Sequence, residues 1–468
     1  MKLGVDRFTW DDLHDDQRLG DLAQVFDRII ERNDPSLFAR FEAYRFAVQS
    51  GIAHGGLATP EESELLIGVS RHLATFLAQL FQTDPTPIKT RTQRDTQVAR
   101  FKKEFVSKRV AKVQAPRADV EALTPLVDAL IHTIAGSERD AELALSMTAL
   151  RLLDLEREYP RGAKEIAPAA ETRAALEQLR GSLRTSDARY SDAIRRREHV
   201  DSPEAIAREA AALHELVDLL VEWTAAQWRR GRFDGWTSFR LPKPLVFDSL
   251  VKTERIDDNT VVGDSHHLRR REGFKLTDPR ATPRQITDQA HYCIYCHERK
   301  KDSCSTGFPE KEGKFKVNPL GIPLEGCPLD ERIGEMNLLR SEGDSIAALA
   351  MVMIDNPMCP GTGHRICNDC MKSCIFQKQD PVDIPQIETG ALTDVLFLPY
   401  GFEMYWLLTR WNPLNVRRPI PLPYNGKNVL VVGLGPAGYT LVHYLAHEGF
   451  GVVAIDGLKI EPIDERLL

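Results

Sequence analysis

All eight cysteines of this 468-residue chain lie between Cys293 and Cys374. Cysteines that only pack in a hydrophobic core would be scattered along the chain, so the clustering indicates that the thiols act together. Cys293 and Cys296 form a C-x2-C pair, and Cys367, Cys370 and Cys374 form C-x2-C-x3-C. Because such spacing lets neighbouring sulfurs reach one metal ion or cluster, the segment is typical of a metal-binding domain.

Three further cysteines complete the set: Cys304, Cys359, and Cys327, which precedes a proline as the last cysteine of many iron–sulfur ligand runs does. Eight thiolates are enough for two four-cysteine [4Fe–4S] clusters. Two structural zinc sites would use the same C-x2-C pairs, so zinc remains an alternative. A disulfide framework is the least favoured interpretation, because the chain is long and shows no secretion signal.

Composition narrows the classes of partner. A net charge of −7 gives no general attraction to nucleic acid or to an anionic membrane. The stretch Lys89–Arg117 is strongly basic, but a solvated helix face is a simpler interpretation than a nucleic-acid site. The N-terminal segment has no apolar signal-peptide core, and we find no run of 18 apolar residues. We therefore expect a cytoplasmic protein, with no membrane partner and no nucleic-acid partner.

The first half of the chain, residues 1–285, carries mainly helical patterns and no motif that indicates catalysis. The clearest helix signal starts at Thr59, as a predicted N-cap, with Pro60 in the first turn and Glu62 three residues on. This is the pattern of a capping box, in which Glu62 bonds back to the start of the helix. Apolar residues then recur every three or four positions, which predicts an amphipathic helix.

The C-terminal segment predicts a dinucleotide site. A buried strand is followed by a glycine-rich turn, a helix and a second strand that ends in an acidic residue. The turn residues are Gly433, Gly435, Pro436, Ala437 and Gly438, and the acidic residue is Asp456. The glycines allow a tight turn and close approach of a pyrophosphate to the helix N-terminus, and the acid accepts hydrogen bonds from ribose hydroxyls. Because strand, helix, strand and acid surround the glycines, the motif is a strong one.

Residues from about 290 to 468 resemble a known family. The order is C-x2-C, a third cysteine, G-C-P-L, T-G-H-R-I-C-N-D-C-M-K-S-C, a proline-rich stretch and G-L-G-P-A-G. This order resembles the iron–sulfur and flavin domains of the glutamate synthase small subunit, and the N-terminal part of dihydropyrimidine dehydrogenase is similar. The resemblance implies a helical domain with two [4Fe–4S] clusters that leads into an FAD domain.

The resemblance also implies a division of the ligands. One cluster would be held by Cys293, Cys296, Cys304 and Cys374, and the other by Cys327, Cys367, Cys370 and a further ligand. The family often uses an oxygen ligand downstream, near Glu388, but this chain has an additional cysteine, Cys359, which we expect to be the eighth ligand. The chain departs from the family in the long insertion between Cys304 and Cys327.

The sequence therefore predicts a mainly α-helical protein. We expect a helical bundle over 1–285, a two-cluster iron–sulfur domain over 286–390, a proline-rich linker over 391–426 and the first βαβ of a Rossmann-like FAD domain over 427–468. The expected function is electron transfer within an NAD(P)H- and FAD-dependent oxidoreductase, with a redox partner or further flavin and nicotinamide domain. The alternative is a non-enzymatic, zinc-stabilised scaffold protein.

Overall fold

The computed structural model describes residues 2–116, 119–163, 166–183, 203–264, 273, 280–299, 301–457 and 466, without the side chains of 180, 182 and 365. This part of the chain is mainly helical, which confirms the predicted fold class at that level. No helix among these residues is long and apolar enough to cross a membrane.

The longer helices are, in chain order, α1 (Asp16–Asn33), α2 (Pro35–Gln49), α3 (Thr59–Leu80), α4 (Thr86–Phe101), α5 (Val120–Ala135), α6 (Ala141–Glu158), α7 (Ala170–Leu183), α8 (Pro203–Arg229), α9 (Pro283–Tyr292), α10 (Ile333–Ser341), α11 (Ser345–Asp355), α12 (Cys359–Ile366), α13 (Ile384–Leu396), α14 (Gly401–Arg410) and α15 (Pro436–His447). Single helical turns lie at Cys296–Arg299, Ser303–Thr306 and Asp369–Lys372 in the cysteine region.

In the described residues, four short strands form two separate pairs. β1 (Thr253–Arg255) and β2 (Val261–Gly263) are antiparallel. β3 (Asn428–Val432) and β4 (Gly451–Ile455) are parallel and joined by α15, with Asn428 opposite Gly451. A parallel pair needs such a crossover, so the C-terminal segment is one βαβ unit.

The chain divides into two compact units, residues 1–91 with 243–468, and residues 92–242, with the boundary inside α4. The predicted division placed residues 1–285 in one helical domain, whereas here the N-terminal helices belong to the unit that holds the cysteines. The stretch 391–426, predicted as a linker, contains the end of α13 and all of α14.

The first unit has a core that joins the N-terminal helices to the later ones. Phe26 of α1, Phe76 of α3 and Trp411 after α14 are buried and meet with ring centroids 5.5–5.8 Å apart. Each fully buried aromatic ring contributes about 1.5–3 kcal/mol through removal from water. α3 also packs against α11, so the N-terminal helices form one wall of the unit that carries the cysteines.

The predicted capping box is wrong by one residue. α3 begins at Thr59, its N-cap is Ala58, and Glu61 accepts a hydrogen bond from the Ala58 amide at 3.1 Å. Glu62 is thereby turned inward and buried. The pattern of Thr, Pro and two adjacent glutamates fits both registers, and packing of the helix decides between them.

The second unit is a helical bundle built from the C-terminal part of α4 and from α5 to α8. α5 packs against α6, α7 and α8, and α6 against α8. Its core includes Phe101, Leu126, Leu153, Val217 and Trp223. The bundle contains no cysteine, so it supplies none of the predicted metal ligands.

The basic stretch Lys89–Arg117 is largely neutralised, although Arg117 itself lies outside the described residues. At least five of its cations form ion pairs, Lys89 with Asp344, Arg91 with Asp394, Arg94 with Glu138, Arg100 with Glu104 and Arg109 with Glu156. Paired cations offer less charge to a phosphate backbone than free ones do.

Candidate functional site

Four cysteines line one small cavity in the first unit. Cys293 follows α9, Cys296 begins the next helical turn, Cys304 lies in the turn Ser303–Thr306, and Cys374 follows the turn Asp369–Lys372. These are the four residues that the family resemblance assigns to one cluster. Cys374 is therefore brought to the three earlier cysteines, because the end of α9 and the residues after the turn Asp369–Lys372 meet at this cavity.

The insertion between Cys304 and Cys327 closes on itself. Phe308 donates a backbone hydrogen bond to Leu324 at 2.9 Å, and Cys327 donates one to the carbonyl of Cys304 at 2.9 Å. The inserted residues form a loop whose ends meet. Cys327 is thereby returned to the side of Cys304, so the insertion lengthens the chain without separating the two halves of the cysteine region.

Burial keeps the first group of thiols protonated in the absence of a metal. Cys304 is 7% exposed and Cys374 is 4% exposed. Burial, followed by the charge of Cys293, raises the pKa of Cys296 to about 11. Burial and the adjacent Asp302 raise the pKa of Cys304 well above its ordinary value. A metal that binds here would displace these protons, and its affinity would rise with pH.

Buried polar groups surround the same cavity. Asn337 of α10 lines it and is fully buried, and its side-chain amide faces the Cys293 thiol, where it favours the thiolate. Neither polar atom of Asn337 makes a hydrogen bond of good geometry within the described chain. An unpaired amide is costly in an apolar interior, whereas cluster sulfurs accept such hydrogen bonds. The residues present therefore fit an anionic metal–sulfur group.

A second group contains Cys327, Cys367 and Cys370. Their charges influence one another, since Cys327 and Cys367 both raise the pKa of Cys370, although burial is the larger cause. Burial also raises the pKa of Cys327 to about 12. Cys367 is exposed, and its sulfur accepts a hydrogen bond from the Asp369 amide at 3.5 Å. This group is more open to solvent than the first one.

Cys359 lies beside a buried acidic pair. Cys359 is 2% exposed at the start of α12, and burial and then the charges of Glu388 and Glu331 raise its pKa. Burial and the charge of Glu331 likewise raise the pKa of Glu388 well above its ordinary value. Asn356 donates a hydrogen bond to Glu388 at 3.1 Å. The same two glutamates raise the pKa of Cys370, so Cys359 and Glu388 both lie near the second group.

The donors do not form a closed coordination shell. In the described part of the chain, no three His, Cys, Asp or Glu side chains are placed so that they could hold a metal ion. The cysteines thus share a cavity and its surroundings, but their side chains are not arranged as a complete set of metal ligands. The eight-cysteine ligand set stays a prediction, and so does the choice between Cys359 and Glu388.

The glycine-rich turn follows β3 and precedes α15. Gly433 has φ of +96°, which an L side chain rarely adopts, and its amide donates to the Ile455 carbonyl at 2.7 Å. A Cβ on Gly438 would lie 1.9 Å from the Gly433 carbonyl oxygen, so the loop requires glycine there, whereas Gly435 faces open space. Asp456 accepts a hydrogen bond from the Leu434 amide, which places the predicted ribose-binding carboxylate beside the loop.

The βαβ unit contacts α11 and α12, and α12 begins at Cys359. Tyr444 of α15 donates to the Asp355 carbonyl at 2.9 Å. A Cβ on Gly361 of α12 would lie 2.6 Å from the Tyr439 hydroxyl, so these two helices touch. α15 therefore brings the glycine-rich turn and the helix that carries Cys359 into one neighbourhood.

Sequence reasoning missed an ionic network that links the N-terminal helices to the cysteine region. Glu62 accepts hydrogen bonds from Tyr44 at 2.6 Å and from Arg332 at 3.0 Å, and Arg332 also lies 3.4 Å from Asp355. Nothing local marks these residues as partners, because Glu62 and Arg332 are far apart in the chain. The sequence offered one signal for this network, namely that Arg332 and its neighbour Glu331 closely follow the G-C-P-L motif.

Comparison with known proteins gives partial matches. The model of a family described as the RP005 N-terminal alpha-helical domain matches residues 3–82. The uncharacterized protein RP006 of Rickettsia prowazekii is 60% identical over 106 residues, 23% of this chain and 15% of that protein. RP005 of the same organism is 34% identical over 102 residues, 20% of this chain and 33% of that protein.

Two further relatives carry a functional name. The glutamate synthase (NADPH) small chain of Mycobacterium tuberculosis is 30% identical over 139 residues, 29% of this chain and 25% of the relative. That of Bacillus subtilis is 31% identical over 132 residues, 28% of this chain and 24% of the relative. No solved structure matches. The matches span at most a third of the length of these relatives, and in part they support the resemblance to an FAD and iron–sulfur oxidoreductase family.

Proposed function

We propose that this chain is the electron-transfer part of an NAD(P)H- and FAD-dependent iron–sulfur oxidoreductase, with two [4Fe–4S] clusters held by its eight cysteines. The observation that carries the proposal is the single cavity lined by Cys293, Cys296, Cys304 and Cys374. Partial similarity to the glutamate synthase small chain supports the same class of protein.

In this proposal the chain binds and shields the clusters. [4Fe–4S] clusters supply one-electron transfer when bound, at potentials set by hydrogen bonds, charge and solvent exposure. Burial of Cys304 and Cys374 excludes water from the first site. The Asn337 amide is placed to donate toward a sulfur there, which stabilises added negative charge. The more exposed second group, with Cys367 at the surface, would form the site nearer to solvent.

The glycine-rich turn would bind the pyrophosphate of FAD through its backbone amides, and Asp456 would accept hydrogen bonds from the ribose. The β3–β4 pair exposes Leu430, Val432, Val453 and Ile455. We propose that a redox partner, or a further flavin- and nicotinamide-binding domain, covers this sheet and completes the flavin site. A cytoplasmic location is part of the proposal, because exposed thiols stay reduced there.

The proposal is tested by anaerobic purification followed by iron, acid-labile sulfide, zinc and flavin analysis. We expect brown protein with about eight irons and eight sulfides per chain, bleached by dithionite. Cys304→Ser should remove about four irons and one of two reduced-state EPR signals. Ser303→Ala is the matched control, since the buried Ser303 hydroxyl makes no hydrogen bond within the described residues and should be dispensable for iron.

Two outcomes would contradict the proposal. Colourless protein with about two zinc ions per chain would support the zinc-stabilised scaffold instead. Full iron content in Cys304→Ser and Cys374→Ser would remove these residues from the ligand set. The eighth ligand is tested by comparing Cys359→Ser with Glu388→Gln, and we expect the cysteine variant to lose the second cluster.

A further inference from the structure

We propose that the helical bundle of residues 92–242 contains a binding site for a small organic anion with an apolar body. The site is a cleft of about 760 Å³ lined by residues of α4, α5, α6 and α7. That volume lies within the range of about 300–1,000 Å³ that is usual for small-molecule sites. The cleft belongs to the second unit alone, so the inference is independent of the proposed electron-transfer function.

The cleft has an apolar floor. Leu150 and Leu155 of α6 and Leu179 of α7 line it, and they are only 4%, 2% and 5% exposed. Met147 and Ile134 widen this surface and are half-buried. A ligand with a hydrocarbon or aromatic body would cover these side chains and remove their apolar surface from water, which favours binding.

The rim of the cleft is polar and carries an excess of positive charge. Its charged side chains are Arg100, Arg151 and Asp154. Arg100 is held by Glu104 at 3.1 Å and by Asp154 at 3.5 Å. Arg151 makes no ion pair or hydrogen bond to any described side chain, and it is exposed at the mouth of the cleft.

The arrangement selects an anion over a neutral or cationic ligand. The guanidinium of Arg151, which has no partner within the described part of the chain, offers a planar set of donors that matches a carboxylate or sulfonate. Gln97 and Thr133 line the same cleft and can donate further hydrogen bonds to oxygen atoms of the anionic group. Asp154 would repel an anion, but its carboxylate is already paired with Arg157 at 2.6 Å and with Arg100 at 3.5 Å. Arg151, which has no partner among the described residues, therefore decides the sign of the ligand charge.

The test uses the full-length protein with its cofactors and the aromatic sulfonate probe anilinonaphthalene sulfonate, followed by fluorescence. We expect saturable binding, displaced by decanoate but at least tenfold less well by decanol. Arg151→Gln should weaken probe binding by about tenfold or more, as loss of one charge-assisted hydrogen bond predicts. Arg230→Gln is the matched control, because Arg230 is an exposed arginine of the same unit that does not line the cleft.

A second variant tests the apolar floor. Ala175 lines the cleft, and Ala175→Trp should fill it and abolish displaceable probe binding, with helicity checked by circular dichroism. The proposal is overturned if Arg151→Gln and Arg230→Gln bind the probe equally, or if decanol displaces the probe as well as decanoate does. Probe binding that survives both Arg151→Gln and Ala175→Trp would place it on another apolar surface and also overturn the proposal.

Discussion

Replacement of Glu62 by glutamine is expected to destabilise the first unit, because the Glu62 carboxylate links the N-terminal helices to the cysteine region. Its side chain is 8% exposed. It accepts hydrogen bonds from Tyr44 at 2.6 Å and Arg332 at 3.0 Å, and it contacts the His54 ring at 2.9 Å. Glutamine keeps the shape of this side chain and removes its charge.

The magnitude follows from what remains after the substitution. Removal of one partner of a buried ion pair costs about 3–5 kcal/mol. Arg332 retains Asp355 at 3.4 Å and its side chain is 23% exposed, so its charge is not left fully uncompensated. Glutamine also keeps one oxygen that can accept from Tyr44. We therefore expect a loss of about 2–3 kcal/mol in the free energy of unfolding.

The assay is urea denaturation read by hydrogen exchange of peptides from α3, because a whole-chain signal would mix the two units. The control is Glu64→Gln on the same helix, whose side chain is 74% exposed and lies 3.5 Å from Arg40. An exposed pair of this kind contributes about 0–1 kcal/mol. Equal unfolding free energies for the two variants would refute the reasoning.

The same contact makes a prediction about pH. Burial alone would raise the pKa of Glu62, but the hydrogen bond from Tyr44 and the charge of Arg332 outweigh it, so the pKa lies below the ordinary value of 4.5. A carboxylate with a lowered folded-state pKa stabilises the fold above its unfolded-state pKa and loses that contribution as the pH falls through the folded-state value. The stability difference between the wild type and Glu62→Gln should therefore be constant above pH 4.5 and shrink below it.

Two pairs of glycine substitutions test the candidate sites. Gly334→Ala would place a Cβ 2.1 Å from Nδ1 of the buried His297, so we expect displacement of the adjacent first cysteine group and loss of about four irons. The control Gly20→Ala lies in open space within α1 and should raise the free energy of unfolding by about 0.5–1 kcal/mol. Unchanged iron content in Gly334→Ala would contradict this prediction. Gly438→Ala would place a Cβ 1.9 Å from a backbone oxygen of its own loop and should speed hydrogen exchange across the βαβ unit. Gly435→Ala meets nothing within 4 Å and should fold normally while weakening ADP binding in calorimetry, and normal ADP affinity would argue against a pyrophosphate at this turn.

The sequence alone predicted the chemical character of the protein. Clustered thiols and a glycine-rich turn between a strand and a helix are local patterns, and their meaning depends on residues a few positions apart. For the same reason the helices and the C-terminal βαβ were predictable, since hydrophobic periodicity and turn residues act within one element. The grouping of Cys374 with Cys293 was implied by family resemblance and not by spacing.

Only the tertiary structure decided which distant segments meet. It turned Glu62 inward to Arg332, placed the N-terminal helices in the unit of the cysteines, and closed the inserted loop so that Cys327 lies beside Cys304. It also formed a cleft in the helical bundle of residues 92–242, where no sequence motif predicted a binding site. Contacts of this kind depend on how whole helices pack and on chain closure over long loops, and a sequence pattern read within one element carries no information about either.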